Sequence, residues 1–533
     1  MRNIYPFGKA PFVILIIAII AGITYGVMKW QRSSAKRPDL ILVFQADIHQ
    51  KLYEKAARDF GEKHNCVVRL QRVQKEVLMD RLQSAMQTGC EVPDLVELLE
   101  GTIGYFTRGK LENVGLVDLT ERLKAEGYMD PDRMVQKRYA LWSSRGHIFA
   151  IPHDVHPAGL CYRVDLLEKL GKQFGFDVTD LTTWDKFVEI GQKITGEWEE
   201  SDEALGIKKG SKRYMIDMAD DSMISMIILL TQRGFDLFDG NGNVAFDTPE
   251  AADLIAWFVH QTRGPKRISF PAGDGQNFYQ GMKEGLDLFY LTPDWRTMQF
   301  TVDLNFADEN DKNPSILKGK LGLIPMPVWT DENGNRVGYQ TGTWGGSGLA
   351  ITKSSKNQEL AWEFAKYLYL EATDEDFANR FKATNIVPPV KKAWSVPGFN
   401  DDSPYFKQMV HDESGKLVTI PISLGKFYAS QADSTPPHFS TAYTAQAETE
   451  FLNVYYAARD FYESKLAAAG ANPSEEKLKE IDDEMLKLIK YGLKEKAAYI
   501  GRLVDRNVFL KDGVDETVAD AAPAAEPEAK QEQ

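Results

Sequence analysis

The stretch from Gly342 to Leu370, GTWGGSGLAITKSSKNQELAWEFAKYLYL, constrains the fold more than any other part of the sequence. It begins as a glycine-rich loop, and the lack of side chains lets backbone N–H groups approach a ligand closely. The short apolar run Leu349–Ile351 follows and is typical of a strand buried on both faces. Ser354 and Ser355 can then cap a helix whose apolar residues recur at helical spacing. This order predicts the ligand-facing end of an α/β domain.

The first part of the chain after residue 37 alternates strand and helix patterns. Apolar runs at Leu40–Phe44, Val67–Leu70 and Pro93–Glu97 predict three strands. Helical patterns at Leu52–Phe60 and Lys75–Met86 separate them. Strands and helices that alternate at these intervals predict an α/β fold with a parallel sheet.

Length, charge and cysteine content limit the architecture and the partners. A chain of 533 residues is too long for one core, so we expect two or more lobes. The net charge is −14, of which residues 1–37 contribute +6, so the remainder carries −20. Such an acidic body argues against a nucleic-acid partner. Three cysteines are too few for a disulfide framework, and we expect free thiols, with a Cys66–Cys90 bridge as the alternative.

Several segments are similar, in order along the chain, to the extracellular solute-binding proteins of ABC importers, in particular the sugar-binding (maltose-binding-protein-like) family. The resemblance covers about residues 38–450. The segments that carry it are TGCEVPDLVEL at 88–98, VDLT at 117–120, IFAIPHDV at 148–155, LCYRVDLL at 160–167, LTTWDKF at 181–187, KLGLIPMP at 320–327, the stretch 342–370, and NIVPP at 385–389. The resemblance implies a two-lobed periplasmic-binding-protein-like fold of type II.

The resemblance also implies a division of the chain into lobes joined by crossings near Ile151, Pro327 and Val387. The expected units are lobe 1 at 38–151 plus 327–386, lobe 2 at 152–326 plus 387–450, a C-terminal helical extension at 451–511, and a disordered acidic tail at 512–533. Helical patterns at Glu448–Leu466 and Glu475–Asn507 predict the extension, and an Ala-, Pro- and Glu-rich composition predicts the disordered tail.

Residues 1–37 are predicted to be an N-terminal membrane anchor. The stretch Phe12–Met28 has no charge and, at about 1.5 Å per residue, is just long enough to cross a bilayer. A cleaved signal peptide is the alternative, but the large residues Tyr25 and Trp30 follow the apolar core. Basic residues on the two flanks nearly balance. Only the family resemblance therefore places the body on the periplasmic or extracellular side of the inner (cytoplasmic) membrane.

Loops at the predicted strand ends carry polar and aromatic side chains suited to a sugar. Ligands of open α/β sheets bind beyond the carboxyl ends of the strands, and two such sheets that face each other form a cleft. Carboxylates pair with sugar hydroxyls, and aromatic faces pack on the C–H faces of the ring. From the resemblance we expect the ligand-binding residues to be Asp47, Glu97, Asp154, His156, Trp295, Trp344 and Gly345.

The resemblance implies an anchored solute-binding subunit that closes on a sugar or oligosaccharide and presents it to ABC permease subunits. One alternative is a ligand-sensing receptor module on the same fold, with the C-terminal helices as its partner surface. The other is a glycan-active enzyme. No nucleophile elbow, phosphate loop or dinucleotide fingerprint occurs in context, so we predict no catalytic residue and no cofactor. His153 and His156 lack further metal ligands at suitable spacing, so we predict no metal.

Overall fold

The computed structural model describes residues 14–22, 24, 38–89, 92–272, 276–308, 314–470 and 473–510. The strands are β1 (Leu40–Phe44), β2 (Val68–Arg72), β3 (Leu95–Leu99), β4 (Ser143–Ser144), β5 (His147–Ile148), β6 (Ile151–Pro152), β7 (Ala158–Arg163), β8 (Gly196–Glu197), β9 (Lys212–Asp217), β10 (Asp287–Pro293), β11 (Leu321–Pro325), β12 (Trp329–Thr330), β13 (Arg336–Val337), β14 (Ser347–Ile351), β15 (Asp402–His411) and β16 (Leu417–Ser423). The α-helices that follow residue 38 are α1 (Gln50–His64), α2 (Lys75–Thr88), α3 (Ile103–Thr107), α4 (Thr120–Ala125), α5 (Val164–Phe174), α6 (Trp184–Ile194), α7 (Ile224–Arg233), α8 (Pro249–Thr262), α9 (Gln276–Glu284), α10 (Asp294–Asp303), α11 (Gln358–Ala365), α12 (Asp374–Thr384), α13 (Leu424–Ala432), α14 (Thr444–Ala469) and α15 (Glu475–Arg506).

The first lobe is built around a five-stranded sheet with the order β2-β1-β3-β14-β6. β1 lies parallel to β2 and β3, with Leu42 opposite Leu70 and Leu95. β14 runs antiparallel to β3, which brings Leu349 opposite Glu97. The central strands β1, β3 and β14 are almost completely buried, as continuous apolar runs predict for strands covered on both faces. The predicted parallel arrangement of the first three strands and the predicted strand at Leu349–Ile351 are both present.

The second lobe is built around a seven-stranded sheet with the order β16-β15-β11-β7-β10-β9-β8. β7 lies at its centre and pairs antiparallel with β10 and β11, so Cys161 lies opposite Tyr290 and Leu323. Side-chain caps mark the starts of two of its helices. The side chain of Thr183 caps α6, and Thr248 caps α8, which has proline in its first turn.

Two long C-terminal helices, α14 and α15, complete the second lobe. Phe451 and Tyr455 of α14 make edge contacts with Phe246 and Phe258, with ring centroids 5.8 Å and 5.4 Å apart. In α15 the buried stripe consists of Ile481, Met485, Ile489, Leu493, Ala497 and Ile500. These side chains belong to the same hydrophobic core as the strands and helices of the second lobe. The extension is therefore an integral part of that lobe.

These observations confirm the predicted α/β class and its two lobes. Among the residues that the structure describes, no helix has both the length and the apolar character needed to span a membrane. Of the predicted anchor at 1–37, residues 1–13, 23 and 25–37 lie outside the described residues, as do the predicted disordered tail at 512–533 and Cys90 of the alternative disulfide.

Candidate ligand-binding site between the lobes

The chain passes between the two sheets three times, and the candidate site lies at these crossings. The first crossing joins β6 to β7 and the second joins β11 to β14. The third leads from α12, whose Asp376 forms an ion pair with Lys55 of α1 in the first lobe, to β15 of the second sheet. The first passage begins after Ile151–Pro152, the second includes Pro327, and the third includes Val387. Loops at both sheets therefore meet where the lobes join.

An aromatic pair lies at this junction. Trp295 opens α10 directly after β10, and Trp344 belongs to the second crossing. Their ring centroids are 5.1 Å apart with planes inclined by 58°, and the indole N–H of Trp295 donates to the carbonyl oxygen of Trp344 at 3.4 Å. Both residues are half-buried. The pair combines fixed geometry with exposed aromatic surface, which suits the C–H face of a sugar ring.

Gly345 allows the backbone to turn beside this pair. Its φ of +92° lies in the region that favours glycine. A Cβ atom at this position would lie 3.4 Å from Trp295 Nε1 and from His156 Cδ2. The residue therefore lets the second crossing pass closely over both side chains.

A buried ionic network lies directly beneath the aromatic pair. Arg138 Nη2 lies 3.1 Å from Asp154 Oδ1, and His156 Nε2 lies 3.1 Å from Asp154 Oδ2. His156 Nδ1 lies 2.6 Å from Asp294 Oδ1. All four side chains are at most 5% exposed. Two cations and two carboxylates balance one another, as buried charges require.

The network also ties the three crossings together. Asp154 lies on the first crossing and accepts the N–H of Ser347, at the end of the second, at 2.7 Å. Asp294 accepts the N–H of Val387, on the third crossing, at 2.7 Å. The residues of this network therefore position the backbone of the three crossings.

Electrostatics fix the charge states in this network. Burial opposes a charged ring in His156, but the carboxylates of Asp154 and Asp294 outweigh it and raise the pKa of His156 to about 9. Burial likewise disfavours a charged Asp154, yet His156 and Arg138 hold the pKa of that carboxyl well below its usual range. His156 is thus an imidazolium that donates from both nitrogens, and neither nitrogen is available to a metal.

A second buried network surrounds Glu97 in the first lobe. Its Oε2 lies 2.6 Å from His49 Nδ1 and also accepts the hydroxyl proton of Tyr53. The hydroxyls of Tyr53 and Tyr369 are 2.5 Å apart. Glu97 is completely buried, and despite that burial its pKa is lowered, chiefly by His49. It supports the end of β3 from inside the lobe.

A third network joins the lobes directly. His438 Nδ1 lies 2.7 Å from Asp236 Oδ2 of the second lobe, and its Nε2 lies 2.6 Å from Glu100 Oε1 of the first. His438 is 2% exposed. Burial opposes its charge, but the two carboxylates raise its pKa well above the usual range. Glu100 follows β3 and donates its backbone N–H to the carbonyl oxygen of Gly346 at 2.9 Å.

The structure separates the seven expected residues into three groups. Trp295, Trp344 and Gly345 come together at the crossings. Glu97, Asp154 and His156 lie buried in networks beneath them. Asp47 is 80% exposed and forms an ion pair with Arg72 at the end of β2.

Sequence reasoning passed over several members of these networks, namely Arg138, Tyr53, Tyr369 and His438. Their partners are distant in sequence, so no local spacing singles them out. Glu100 and Asp294, by contrast, stand at strand ends, where sequence reasoning does place polar side chains.

A separate cavity of about 260 Å³ lies between α2 and the first sheet. Val43, Val73, Leu78 and Leu82 contribute to its lining, and none of the described residues that line it is aromatic. It is away from the crossings and cannot stack a sugar ring, so we assign the site to the junction instead.

Comparison with known proteins relates this architecture to a family. Residues 55–407 match the sequence profile of the family described as bacterial extracellular solute-binding protein. An arabinooligosaccharide-binding protein of Halalkalibacterium halodurans is 24% identical over 373 residues, which cover 68% of this chain and 73% of that protein. A lactose-binding protein of Rhizobium radiobacter is 23% identical over 333 residues, covering 61% of this chain and 68% of that protein.

Solved structures share the fold. The sugar-binding protein MalE from Xanthomonas citri matches with a TM-score of 0.59 at 17% identity, covering 85% of this chain and 97% of its own. A cyclo/maltodextrin-binding protein in complex with maltotetraose matches with a TM-score of 0.56 at 18% identity, covering 87% and 98%. The two-lobed architecture is therefore that of known sugar-binding proteins.

Proposed function

Because this chain belongs to the bacterial extracellular solute-binding protein family, we propose that it captures an oligosaccharide between its lobes and delivers it unchanged to the permease of an ABC importer. The family consists of non-catalytic binding proteins. The observation that carries the choice of ligand is the half-buried Trp295–Trp344 pair at the lobe junction. The names of the relatives, which bind arabinooligosaccharides and lactose, support a carbohydrate.

The networks suit an uncharged ligand. Arg138, Asp154, His156 and Asp294 neutralise one another, so no unpaired charge in that group needs compensation by the ligand. A sugar ring would stack on the tryptophans and exchange hydrogen bonds with polar groups at the strand ends. We assign Asp154, His156 and Glu97 a positioning role, in which they hold the loops that contact the ligand.

Delivery follows from hinge motion at the three crossings. A ligand that contacts both lobes favours the arrangement in which they are together, by its difference in affinity for the two states. The permease would recognise that arrangement, and ATP would be hydrolysed elsewhere. Asp294 and Asp154 would keep the crossings in register during the motion, since their hydrogen bonds run to crossing backbones.

A ligand screen tests this proposal. A purified protein that begins at residue 38 is mixed with mono- and oligosaccharides, and its unfolding temperature is measured. We expect an oligosaccharide to raise that temperature through preferential binding to the folded state, and chromatography to recover it intact. If no carbohydrate raised the unfolding temperature, a carbohydrate ligand would be refuted. If chromatography found new products, the alternative of a glycan-active enzyme would be supported.

We also propose that residues 1–37 anchor the body outside the inner membrane, beside its permease. Tethering would raise the local concentration of the binder at its partner. Fractionation of cells that express the full chain should find it in membranes after alkaline washing, and a chain that begins at residue 38 behind a cleavable signal should be released. Equal release of both forms would contradict the anchor.

The sensor alternative retains one supporting observation. α15 exposes Tyr491, at 66%, on the side opposite its buried stripe, where a partner protein could bind. Deletion of the extension cannot test this alternative, because Phe451, Tyr455 and Ile489 lie in the core of the second lobe. Tyr491→Ala is the suitable variant, and a sensor should lose signalling while ligand binding is retained.

A further inference from the structure

A short segment that precedes the C-terminal extension reaches from the second lobe onto the first. We define the strap as residues 436–443, which connect α13 to α14. His438 in the strap lies between Asp236 of the second lobe and Glu100 of the first, at 2.7 Å and 2.6 Å. Both ring nitrogens face carboxylate oxygens, so the ring donates both bonds as an imidazolium. One side chain thereby joins the two lobes.

Backbone packing extends this contact. Gly104 of α3 lies so close to the strap that an added Cβ atom would overlap the carbonyl oxygen of Thr441. Arg108, just past the end of α3, donates from Nη2 to the carbonyl oxygen of Ala442 at 3.2 Å. The strap therefore fits against α3 without space between them.

The end of the extension makes a further contact with the first lobe. Asn507, after α15, donates from Nδ2 to the carbonyl oxygen of Arg108 at 2.9 Å. Arg145 of the first lobe donates to the carbonyl oxygens of Phe509 and Thr107 at 2.6 Å and 2.7 Å. The strap and the chain end thus approach the same small region around α3.

The strap must nevertheless move with the second lobe. α14 begins directly after it, and Ala447, Phe451 and Tyr455 are fully buried in the core of that lobe. Phe439 of the strap donates its N–H to Asp236 of the second lobe at 2.8 Å. The strap is also not one of the three crossings, because it contributes no strand to the first sheet. Separation of the lobes consequently breaks its contacts with α3 and Glu100.

We propose that the strap is a latch: it holds the ligand-free lobes together, and it must release α3 and Glu100 before a ligand can enter. The proposal rests on the hinge motion of the proposed function. A latch of this kind lowers the population of the open state, so it reduces the apparent affinity for ligand by the same factor.

A single methyl group tests the latch. Gly104→Ala places a Cβ against Thr441 while favouring the helical conformation of α3. Gly109→Ala is the matched control, because a Cβ at Gly109 would have no atom of the described residues within 4 Å. Neither glycine has a positive φ, so neither change strains the backbone.

Lobe separation is measured by pulsed electron paramagnetic resonance on the full ligand-free chain. Spin labels are carried by p-acetylphenylalanine in place of Lys51 in α1 and Lys172 in α5, both exposed. We expect the unaltered chain to populate mainly one distance between the labels. Gly104→Ala should populate a second, longer distance at least about fivefold more than the unaltered chain does. Gly109→Ala should give the unaltered distribution. Identical distributions for Gly104→Ala and the unaltered chain would overturn the proposal.

A second variant covers the case in which Gly104→Ala fails to fold. His438→Gln removes the imidazolium between Glu100 and Asp236, with His411→Gln as the control, because His411 forms its ion pair with Asp177 within the second lobe. We expect the longer distance in His438→Gln but not in His411→Gln. If His438→Gln also lacked the longer distance, the latch would be overturned. No ligand is added, so the outcome does not depend on whether any carbohydrate binds.

Discussion

His156 and His438 have the same local chemistry in different parts of the molecule. Each imidazole is buried, and each lies between two carboxylates at distances of 2.6–3.1 Å. His156 bonds to residues on or beside the crossings, where the chain itself keeps the lobes connected. His438 joins the strap to Glu100 of the first lobe, and at this place no crossing of the chain connects the two lobes.

The difference shows that position decides the role of a buried ion pair. At the crossings, the groups around His156 can remain in contact while the lobes turn, so the network stabilises the fold. At the strap, the same arrangement is lost whenever the lobes separate. The first network should therefore be visible in the free energy of unfolding, whereas the second should be visible in the population of the open state.

The largest expected effect is on the stability contributed by the His156 network. Asp154→Ala leaves Arg138 and His156 buried with only Asp294 to balance them. We expect the free energy of unfolding, measured by urea denaturation, to fall by about 3–5 kcal/mol. Asp47→Ala, which removes an ion pair at an 80% exposed carboxylate, should cost at most about 1 kcal/mol. Equal losses of unfolding free energy in Asp154→Ala and Asp47→Ala would contradict the distinction between buried and surface ion pairs in this protein.

The next effect is a pH dependence that belongs to His156. Its pKa is raised to about 9 in the folded state, so the stabilisation from protonation is complete below its unfolded value and is lost as pH rises through 9. His156→Gln should therefore be less stable than the unaltered chain at pH 6, and this difference should shrink by about 3 kcal/mol by pH 10. Denaturation at both pH values measures it. A difference that is constant with pH would contradict the charged state assigned to His156.

A change in the aromatic pair should affect ligand binding more than stability. Trp295→Ala removes the stacking surface while the charged network beneath it is retained. We expect the dissociation constant of the best carbohydrate from the screen, measured by calorimetry, to rise about tenfold or more. Trp394→Phe is the control. Trp394 lies in the short helical segment Lys391–Ser395, and its indole N–H donates to the carbonyl oxygen of Pro388. Unchanged affinity in Trp295→Ala would remove the pair from the site.

The sequence predicted what depends on local spacing. The strand at Leu349–Ile351 and the two C-terminal helices α14 and α15 follow from residues within a few positions of one another. Trp295 could be placed near the junction in a similar way, because it directly follows the carboxyl end of β10.

The networks could not be predicted in this way. Glu100 and His438 are 338 positions apart, and Arg138 reaches Asp154 only after the backbone has turned through three short strands, β4, β5 and β6. No periodicity links such residues, since their approach is set by how the lobes pack. For the same reason the sequence does not distinguish an exposed carboxylate from a buried one, as Asp47 and Glu97 illustrate.

The smallest effect separates backbone conformation from crowding at the site. Gly345→Ala forces alanine into φ +92° and places its Cβ 3.4 Å from Trp295 Nε1 and His156 Cδ2. Gly210→Ala has a similar φ of +81° but meets no atom of the described residues within 4 Å. Both variants should lose about 1 kcal/mol of unfolding free energy, because alanine is disfavoured at positive φ. Only Gly345→Ala should also weaken carbohydrate binding, by about threefold, since only there does the strained backbone lie against Trp295 and His156. Equal affinities in the two variants would show that the second crossing tolerates movement over the tryptophans, and would place the ligand elsewhere along the junction.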